Sequence, residues 1–404
     1  MKKLHVLSLV TVITVTLVSG CNSTSSAGSA SLNNKLSAET LALKIEAVPE
    51  NLSNTYSRNL NFNRYTKVTT SNGGAIHIIA QDDLTDNQIV RARSILEHYL
   101  APYPGSVYGA DKTNVANKMA ENGATLLLLN GSDDGSNPAA ELDGQPLYQD
   151  EIQVEGGSWY INQNYDHRDA SYEEILHLVH DYGIGIDKGG PEGALPAYQA
   201  EIRTAQANAL ANYIWGIGAE NRGWLRELAE ENSLSQEYLA SVIDSYYGLW
   251  GAWEDDYERG MWGVYIAKTR SDIATKDVAG EALMKNKFFH PYLTYNARID
   301  ESFTGDFSLK FDSDKAYTHH SQYLKDITLT GSNPSGVVVN QYDNKITGNA
   351  AINKVIFSGR SSQYAIDTQN GATTTVLDLV EGRDGKNELS SIEQLVFTDT
   401  VVNL

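Results

Sequence analysis

The most constraining feature of the sequence is the segment Asp166–Asp187, which holds three of the nine histidines and several closely spaced carboxylates. Ser171 and Glu174 form a capping-box pattern, and Gly183 and Gly185 follow Asp181, so the sequence predicts a short helix of about three turns that starts near Ser171. At about 100° per residue, Glu173, His177 and His180 share one narrow stripe of this helix. Because imidazole and carboxylate groups on one stripe can face the same cation, the stripe is predicted to form half of a metal site.

The run Glu173–His177 reads E-E-I-L-H and resembles the zincin motif H-E-x-x-H at four of its five positions. Glu173 stands in place of the first histidine. In zincins both histidines bind zinc, and the glutamate between them polarises the attacking water. The resemblance implies that Glu174 is the general base and His177 a zinc ligand, with Glu173 or His180 replacing the missing histidine.

Two of these residues have simpler explanations. Glu174 can complete a capping box with Ser171, which would turn its carboxylate away from a metal; capping by Asp169 instead removes this conflict. His177 can be a core histidine on an apolar face. However, burying it together with Glu173 and His180, without a metal or hydrogen-bond partners, would be costly, which favours a site.

A third ligand has to come from elsewhere in the chain. The gluzincin branch of the zincins takes it from a glutamate on a downstream helix, and Glu201, in the predicted helix that follows Pro196, is similarly placed. The alternative is that Glu201 is a first-turn acid that complements the helix dipole. Asp181 is predicted to orient His177 as a hydrogen-bond acceptor, and His167 is an alternative contributor.

The first 21 residues have the pattern of a signal peptide. A positively charged start precedes the apolar run Val6–Val18, which is too short to span a bilayer. The residues Val18–Cys21 resemble a bacterial lipobox, which implies that Cys21 is lipidated; the alternative is an ordinary signal peptide. Asn22 follows, and this favours an outer-membrane or cell-surface lipoprotein. Because Cys21 is the only cysteine, disulfides are excluded.

Length and net charge limit the number of domains and the class of partner. The 404 residues suffice for two domains, and a net charge of −20, from 31 Lys+Arg against 51 Asp+Glu, excludes a nucleic-acid partner. The predicted fold class is α+β, with a zincin-like α/β half, a helical half and a small all-β module. The predicted boundaries are 1–21 for the signal peptide, 22–74 for a flexible tether, 75–298 for the zincin-like domain and 299–404 for the β-rich module.

Within the zincin-like domain, periodicity and capping patterns predict alternating strands and helices. The predicted strands are Ala75–Ala80, Ala124–Leu129, Tyr148–Val154 and Ser158–Ile161. The predicted helices are 85–100, Asp111–Glu121, Tyr198–Trp215, Ser233–Trp250 and Tyr257–Lys268.

The C-terminal region shows a nine-residue recurrence. Asn344-x-Ile346 is followed by Asn353-x-Val355, a period typical of the nonapeptide β-roll. The region resembles the C-terminal modules of RTX-type secreted bacterial proteins, which implies calcium as a second cation. No G-G-x-G-x-D unit is intact, and 382–385 (G-R-D-G) is the nearest remnant, so calcium binding stays open. The pair His319-His320 is predicted to be surface structure on the first strands.

The sequence therefore predicts a zinc-dependent peptide hydrolase anchored in the bacterial envelope, acting on a peptide or protein substrate. One alternative is a zincin-like surface binding or adhesion lipoprotein without turnover. Another is a carboxylate-rich site that holds iron or manganese, because carboxylate ligands suit harder ions.

Overall fold

The computed structural model describes residues 36–404, except 164, 166, 167, 187, 188, 257 and 370–372. The signal peptide with Cys21, the chain up to residue 35 and His167 lie outside the described residues, so the interpretations placed on them stay predictions. No helix in the part of the chain described here combines the length and the hydrophobicity needed to cross a membrane.

The first sheet has four strands in the order β1-β2-β3-β4; β1 pairs antiparallel with β2, and the other pairs are parallel. Its elements are α1 (Ala38–Ala42), β1 (Phe62–Thr69), β2 (Ala75–Gln81), α2 (Asp86–Leu100), α3 (Thr113–Glu121), β3 (Thr125–Leu129) and β4 (Gln145–Tyr148). The strand–helix–helix–strand order predicted for 75–129 is confirmed. Thr85 caps α2 through the predicted capping box with Gln88. Residues 36–74 were predicted as part of the tether, with a short helix at Leu36–Ile45 and irregular structure over Asn51–Gly74. The helix is confirmed by α1, but the prediction of irregular structure is wrong where β1 pairs with β2.

The strands predicted just before the central helix are wrong. Strand β4 ends at Tyr148, and Ser158–Asn162 forms the short helix α4 instead of a strand. Gly156, at φ +81°, turns the chain immediately before α4. One turn of helix then buries Trp159 and Tyr160 against the core. This tertiary packing overrides the β propensity of the aromatic residues.

The helical half surrounds the central helix α5 (Ser171–Val179), which continues into a π-helical turn at His180–Ile184. The helix predicted at Tyr257–Lys268 is wrong over its described residues, 258–268, which are irregular apart from a short 3₁₀ turn at Met261–Gly263. The helices that follow α5 are α6 (Pro196–Ala211), α7 (Arg222–Glu231), α8 (Leu234–Tyr246), α9 (Arg270–Lys276) and α10 (Val278–Met284).

The C-terminal part is a roll in which the chain passes back and forth between two largely parallel sheets, ordered β15-β14-β10-β8-β6 and β11-β12-β13-β9-β7-β5. Strands β7 to β10 begin at residues 327, 335, 344 and 354, every eight to ten residues, in agreement with the predicted period. The elements are β5 (Ala297–Ile299), β6 (Gly305–Ser308), α11 (Thr318–Ser321), β7 (Ile327–Leu329), β8 (Ser335–Val338), β9 (Asn344–Thr347), β10 (Lys354–Ile356), β11 (Tyr364–Gln369), β12 (Thr373–Asp378), β13 (Lys386–Ser390), β14 (Gln394–Val396) and β15 (Val401–Asn403).

Inside the roll, other side chains and a backbone N–H contact the acidic residue of the calcium-motif remnant. The carboxylate of Asp384, in the remnant of the calcium motif, forms an ion pair with Lys310 (2.7 Å) and accepts hydrogen bonds from Ser358 and Tyr364. The resemblance to RTX modules stays a prediction. The prediction for His319-His320 is wrong, because α11 carries them and His320 is buried.

A buried cluster around Arg91 joins the parts of the fold. The Arg91 guanidinium on α2 pairs with Glu155 (3.0 Å) and Asp169 (2.7 Å), and all three side chains are almost fully buried. Tyr295, from just before β5, donates a hydrogen bond to Glu155, and the imidazole of His320 lies 4.0 Å from the same carboxylate. Since one hydrophobic core also runs from Ile45 to Phe397, the roll and the helical half are packed as one body.

Replacing Arg91 with methionine is expected to lower the free energy of unfolding by about 3–5 kcal/mol, because two buried carboxylates lose their cation. Chemical denaturation measures this change. Arg226→Met, at an exposed arginine of α7, is the control and should change stability by less than about 0.5 kcal/mol. Equal effects of the two substitutions would contradict a structural role for the cluster.

The buried amine of Lys112, just before α3, is expected to make the stability of the protein depend on pH. Burial lowers the pKa of its amine to about 7, while the amine donates to the Tyr99 carbonyl (2.8 Å). The unfolded chain keeps this proton up to pH about 10.5, so between pH 7 and 9 the amine binds more protons in the unfolded state, and its contribution to stability rises with pH by about 2 kcal/mol. Glu151, His177 and Glu237, whose pKa values are raised in the folded protein, contribute in the opposite direction over this range. The contribution of Lys112 is therefore measured as a difference: between pH 7 and pH 9, denaturation should show a change in stability about 2 kcal/mol more positive for Lys285→Met than for Lys112→Met.

Candidate metal centre

The helix that carries the predicted site has Ala170 as its N-cap residue, and no side chain forms the cap hydrogen bond. Asp169 Oδ1, one residue earlier, accepts a hydrogen bond from the Ser171 backbone N–H (3.1 Å), whereas the Ser171 hydroxyl has no hydrogen-bond partner among the described residues. The capping box between Ser171 and Glu174 is therefore not formed. Glu174 instead accepts a hydrogen bond from Gln145 of β4 (2.6 Å), so its carboxylate lies between α5 and the edge strand of the first sheet.

Three side chains converge where α5 packs against α8. Glu173 and His177 of α5 and Glu237 of α8 each offer a ligand atom, and these atoms lie within 4.8 Å of one another. His177 Nε2 is 3.7 Å from Glu237 Oε1, and His177 Nδ1 is 3.7 Å from Glu174 Oε2. Two carboxylates and one imidazole this close together could hold a metal ion.

The structure places the other two predicted ligands outside this group. His180 lies one helical turn beyond His177, and its Nε2 is hydrogen-bonded to Gln199 of α6 (2.6 Å). The carboxylate of Glu201 accepts a hydrogen bond from Tyr108 (2.8 Å) and pairs with Lys287, and its side chain is 39% exposed. The downstream glutamate that lies close to Glu173 and His177 is therefore Glu237 of α8, and not the predicted Glu201 of α6.

Asp181 is also placed differently from the prediction. Its carboxylate accepts a hydrogen bond from Gln236 of α8 (2.5 Å). The carboxylate beside His177 Nδ1 is that of Glu174, at 3.7 Å, and not that of Asp181.

The sequence did not identify Glu237 as a candidate ligand, although the helix that carries it was predicted. The run Leu234–Tyr246 is almost entirely buried, and Glu237 and Asp244 stand seven residues apart on the same face. Two acids on the inner face of an apolar helix were a usable signal, because acids are seldom buried without a partner. The sequence did not show that this face meets α5.

Negative charge exceeds positive charge around the group. Arg168 forms ion pairs with Glu173 and with Asp244 (3.4 Å), and among the described residues it is the permanently charged cation that pairs with these acids. The carboxylates of Glu174 and Glu237 each lie 3.7 Å from a ring nitrogen of His177, and the charge of Arg168 acts on Glu237 from farther away. A site with this imbalance attracts a divalent cation.

Without a metal, protons offset part of this charge. Burial raises the pKa of Glu237 to about 7, and Glu173 adds to the rise. For Glu151, which lies near Glu174, burial and this neighbouring carboxylate raise the pKa to about 8. Burial opposes protonation of His177, but Glu237 and Glu174 outweigh it and raise the pKa of the imidazole to about 10. Metal binding is expected to displace such protons.

No model of a known protein family matches the chain, and no curated protein matches it significantly. The donor set itself defines the chemistry open to this site. One imidazole and two carboxylates suit zinc and also manganese or iron. The identity of the ion is therefore a question for metal analysis.

Glu237→Gln is expected to weaken the binding of one divalent ion per chain on the order of 100-fold, because a charged ligand is lost. Titration calorimetry with Zn²⁺ and with Mn²⁺ measures the affinity. Affinity should also rise from pH 6 to pH 8, because the protons of Glu237 and His177 compete with the metal. Glu201→Gln is the control and should bind like the native protein; the reverse order of the two variants would exclude this site.

Proposed function

We propose that this protein is a zinc-dependent hydrolase of peptides. The observation that supports the proposal is the meeting of Glu173, His177 and Glu237 within 4.8 Å, with the Glu174 carboxylate beside His177. The resemblance of E-E-I-L-H to the zincin motif supports the same assignment. A zinc ion held by these residues would act as a Lewis acid toward a water molecule and a substrate carbonyl.

Glu174 is proposed as the general base. Its side chain is 20% exposed, more than those of Glu173, His177 and Glu237, so it is the carboxylate of the group most open to a water molecule. The hydrogen bond from Gln145 holds its Oε2 in place. A carboxylate in this position can accept a proton from the attacking water and pass it to the leaving amine.

The edge strand β4 supports a peptide as the substrate. It stands at the end of the first sheet, and Gln145 on this strand contacts Glu174 directly. A peptide in an extended conformation can pair with a free sheet edge through its backbone. Such pairing would bring a peptide bond close to α5.

The predicted lipobox supports a location for the reaction. With Cys21 lipidated, the protein would act at the bacterial envelope, and its substrate would be a peptide or protein found there. A net charge of −20 favours substrates that are neutral or basic.

One observation favours a second candidate. Glu173 takes the place of a histidine, so the donor set holds two carboxylates and one imidazole. Harder ions such as manganese or iron prefer this set, and a hydrolase or oxidoreductase with either metal fits the same residues.

Metal analysis and a cleavage assay separate these candidates. The native protein, purified without chelator, is expected to hold one zinc per chain and to cleave casein, and Glu174→Gln should keep the zinc but lose activity by about 100-fold or more. Glu201→Gln should retain both properties. Bound manganese or iron would support the second candidate, and a protein that binds zinc without cleaving any peptide would support the surface-binding alternative.

A further inference from the structure

Trp262 is unusually exposed for a tryptophan. Half of its side chain is open to solvent, whereas Trp159, Trp215, Trp250 and Trp253 are each less than a tenth exposed. An indole with one face in water loses part of the stabilisation that burial would provide. An isolated exposed aromatic residue needs no explanation, but the backbone and the neighbours of Trp262 are also unusual.

The backbone that presents Trp262 is strained. Met261 and Trp262 have φ values of +50° and +49°, in the left-handed region that disfavours residues with a side chain. Hydrogen bonds on both sides of the turn hold it in this conformation, from Gly260 N–H to the Tyr265 carbonyl (2.9 Å) and from Ile266 N–H to the Ile214 carbonyl (2.8 Å). Strain that the surrounding fold enforces in this way is concentrated at functional sites.

Trp262 lies next to the metal centre. The guanidinium carbon of Arg168 is 4.6 Å from the centroid of its ring, and Arg168 forms ion pairs with Glu173 and Asp244. The buried ring of Trp250 meets Trp262 edge to face at 5.1 Å. One arginine side chain therefore separates the exposed indole from a proposed metal ligand.

The contact with Arg168 accounts for the position of the indole but not for its exposure to solvent. The cation–π contact needs only one face of the ring, so it would be kept if the rest of the ring were packed against the protein. The strained turn instead leaves an apolar surface open beside the proposed reaction centre. Such a surface suits an apolar group of the substrate.

We propose that Trp262 is a specificity-determining residue, and that its exposed face binds an aromatic or large aliphatic side chain of the peptide close to the bond that is cleaved. This inference rests on the proposed function and names the substrate class for it. A peptide is preferred to a sugar because the edge strand β4 contacts Glu174 through Gln145 and can align an extended chain.

The test compares Trp262→Ala and Trp262→Phe with the native full-length protein on two fluorogenic peptides that differ only in one phenylalanine replaced by alanine. Trp262→Ala should lower kcat/KM for the phenylalanine peptide at least tenfold, mainly through KM, and change the alanine peptide less than twofold. Trp262→Phe should recover most of the loss. Phe311→Ala removes an equally exposed aromatic side chain (51%) from the roll and should have no effect.

A binding assay separates this inference from the proposed function. Titration calorimetry of the metal-free protein with the same two peptides should show tighter binding of the phenylalanine peptide and loss of the difference in Trp262→Ala. If this holds while no peptide is cleaved, the hydrolase proposal fails and the binding site stands. Equal losses for both peptides, unchanged binding of the phenylalanine peptide by Trp262→Ala, or Trp262-dependent binding of a chitin oligosaccharide but of neither peptide would each overturn the inference.

Discussion

The fold depends on the buried cluster in which Arg91 neutralises Glu155 and Asp169. A guanidinium with five donors can serve two carboxylates at once, and in a dry interior neither acid is tolerable without it. Asp169 also accepts a hydrogen bond from the backbone N–H of Ser171, the first residue of α5, so the cluster holds the start of the central helix. Because Tyr295 from the start of the roll donates to Glu155, the same charges tie the C-terminal sheets to the helix that carries the candidate metal site.

A second arginine repeats this arrangement closer to the surface. Arg168 is only one residue from Asp169, and it pairs with Glu173 on α5 and with Asp244 on α8. Each arginine thus balances two acids. Glu237 forms no ion pair with either arginine among the described residues, and its nearest cationic partner is His177, although the charge of Arg168 also acts on it. The inner cluster pairs both of its acids with an arginine, whereas the outer group leaves Glu237 to an imidazole, which is why the outer group is the candidate metal site.

Local signals predicted local structure well. The capping box at Thr85 and the apolar run Ala124–Leu129 were read correctly, because each element is specified by residues next to one another in the chain. The failures share one physical cause. Ser158–Asn162 is helical because Trp159 and Tyr160 pack into a core formed by distant segments. Glu237 was overlooked for the same reason, because which helix faces α5 is decided by tertiary packing. The sequence marked Glu173 and His177 as candidate ligands, but it could not show that Glu237 lies beside them while His180 and Glu201 do not.

Arg168 affects the proposed zinc site, in which Glu173 would stand where the zincin motif H-E-x-x-H has its first histidine. A carboxylate in place of a neutral imidazole adds negative charge at a metal, and this weakens the ion as a Lewis acid. Here the extra carboxylate, Glu173, is itself paired with the Arg168 guanidinium, which withdraws part of its charge from the centre. The pair Glu173–Arg168 is then electrostatically closer to a neutral ligand than a free glutamate is.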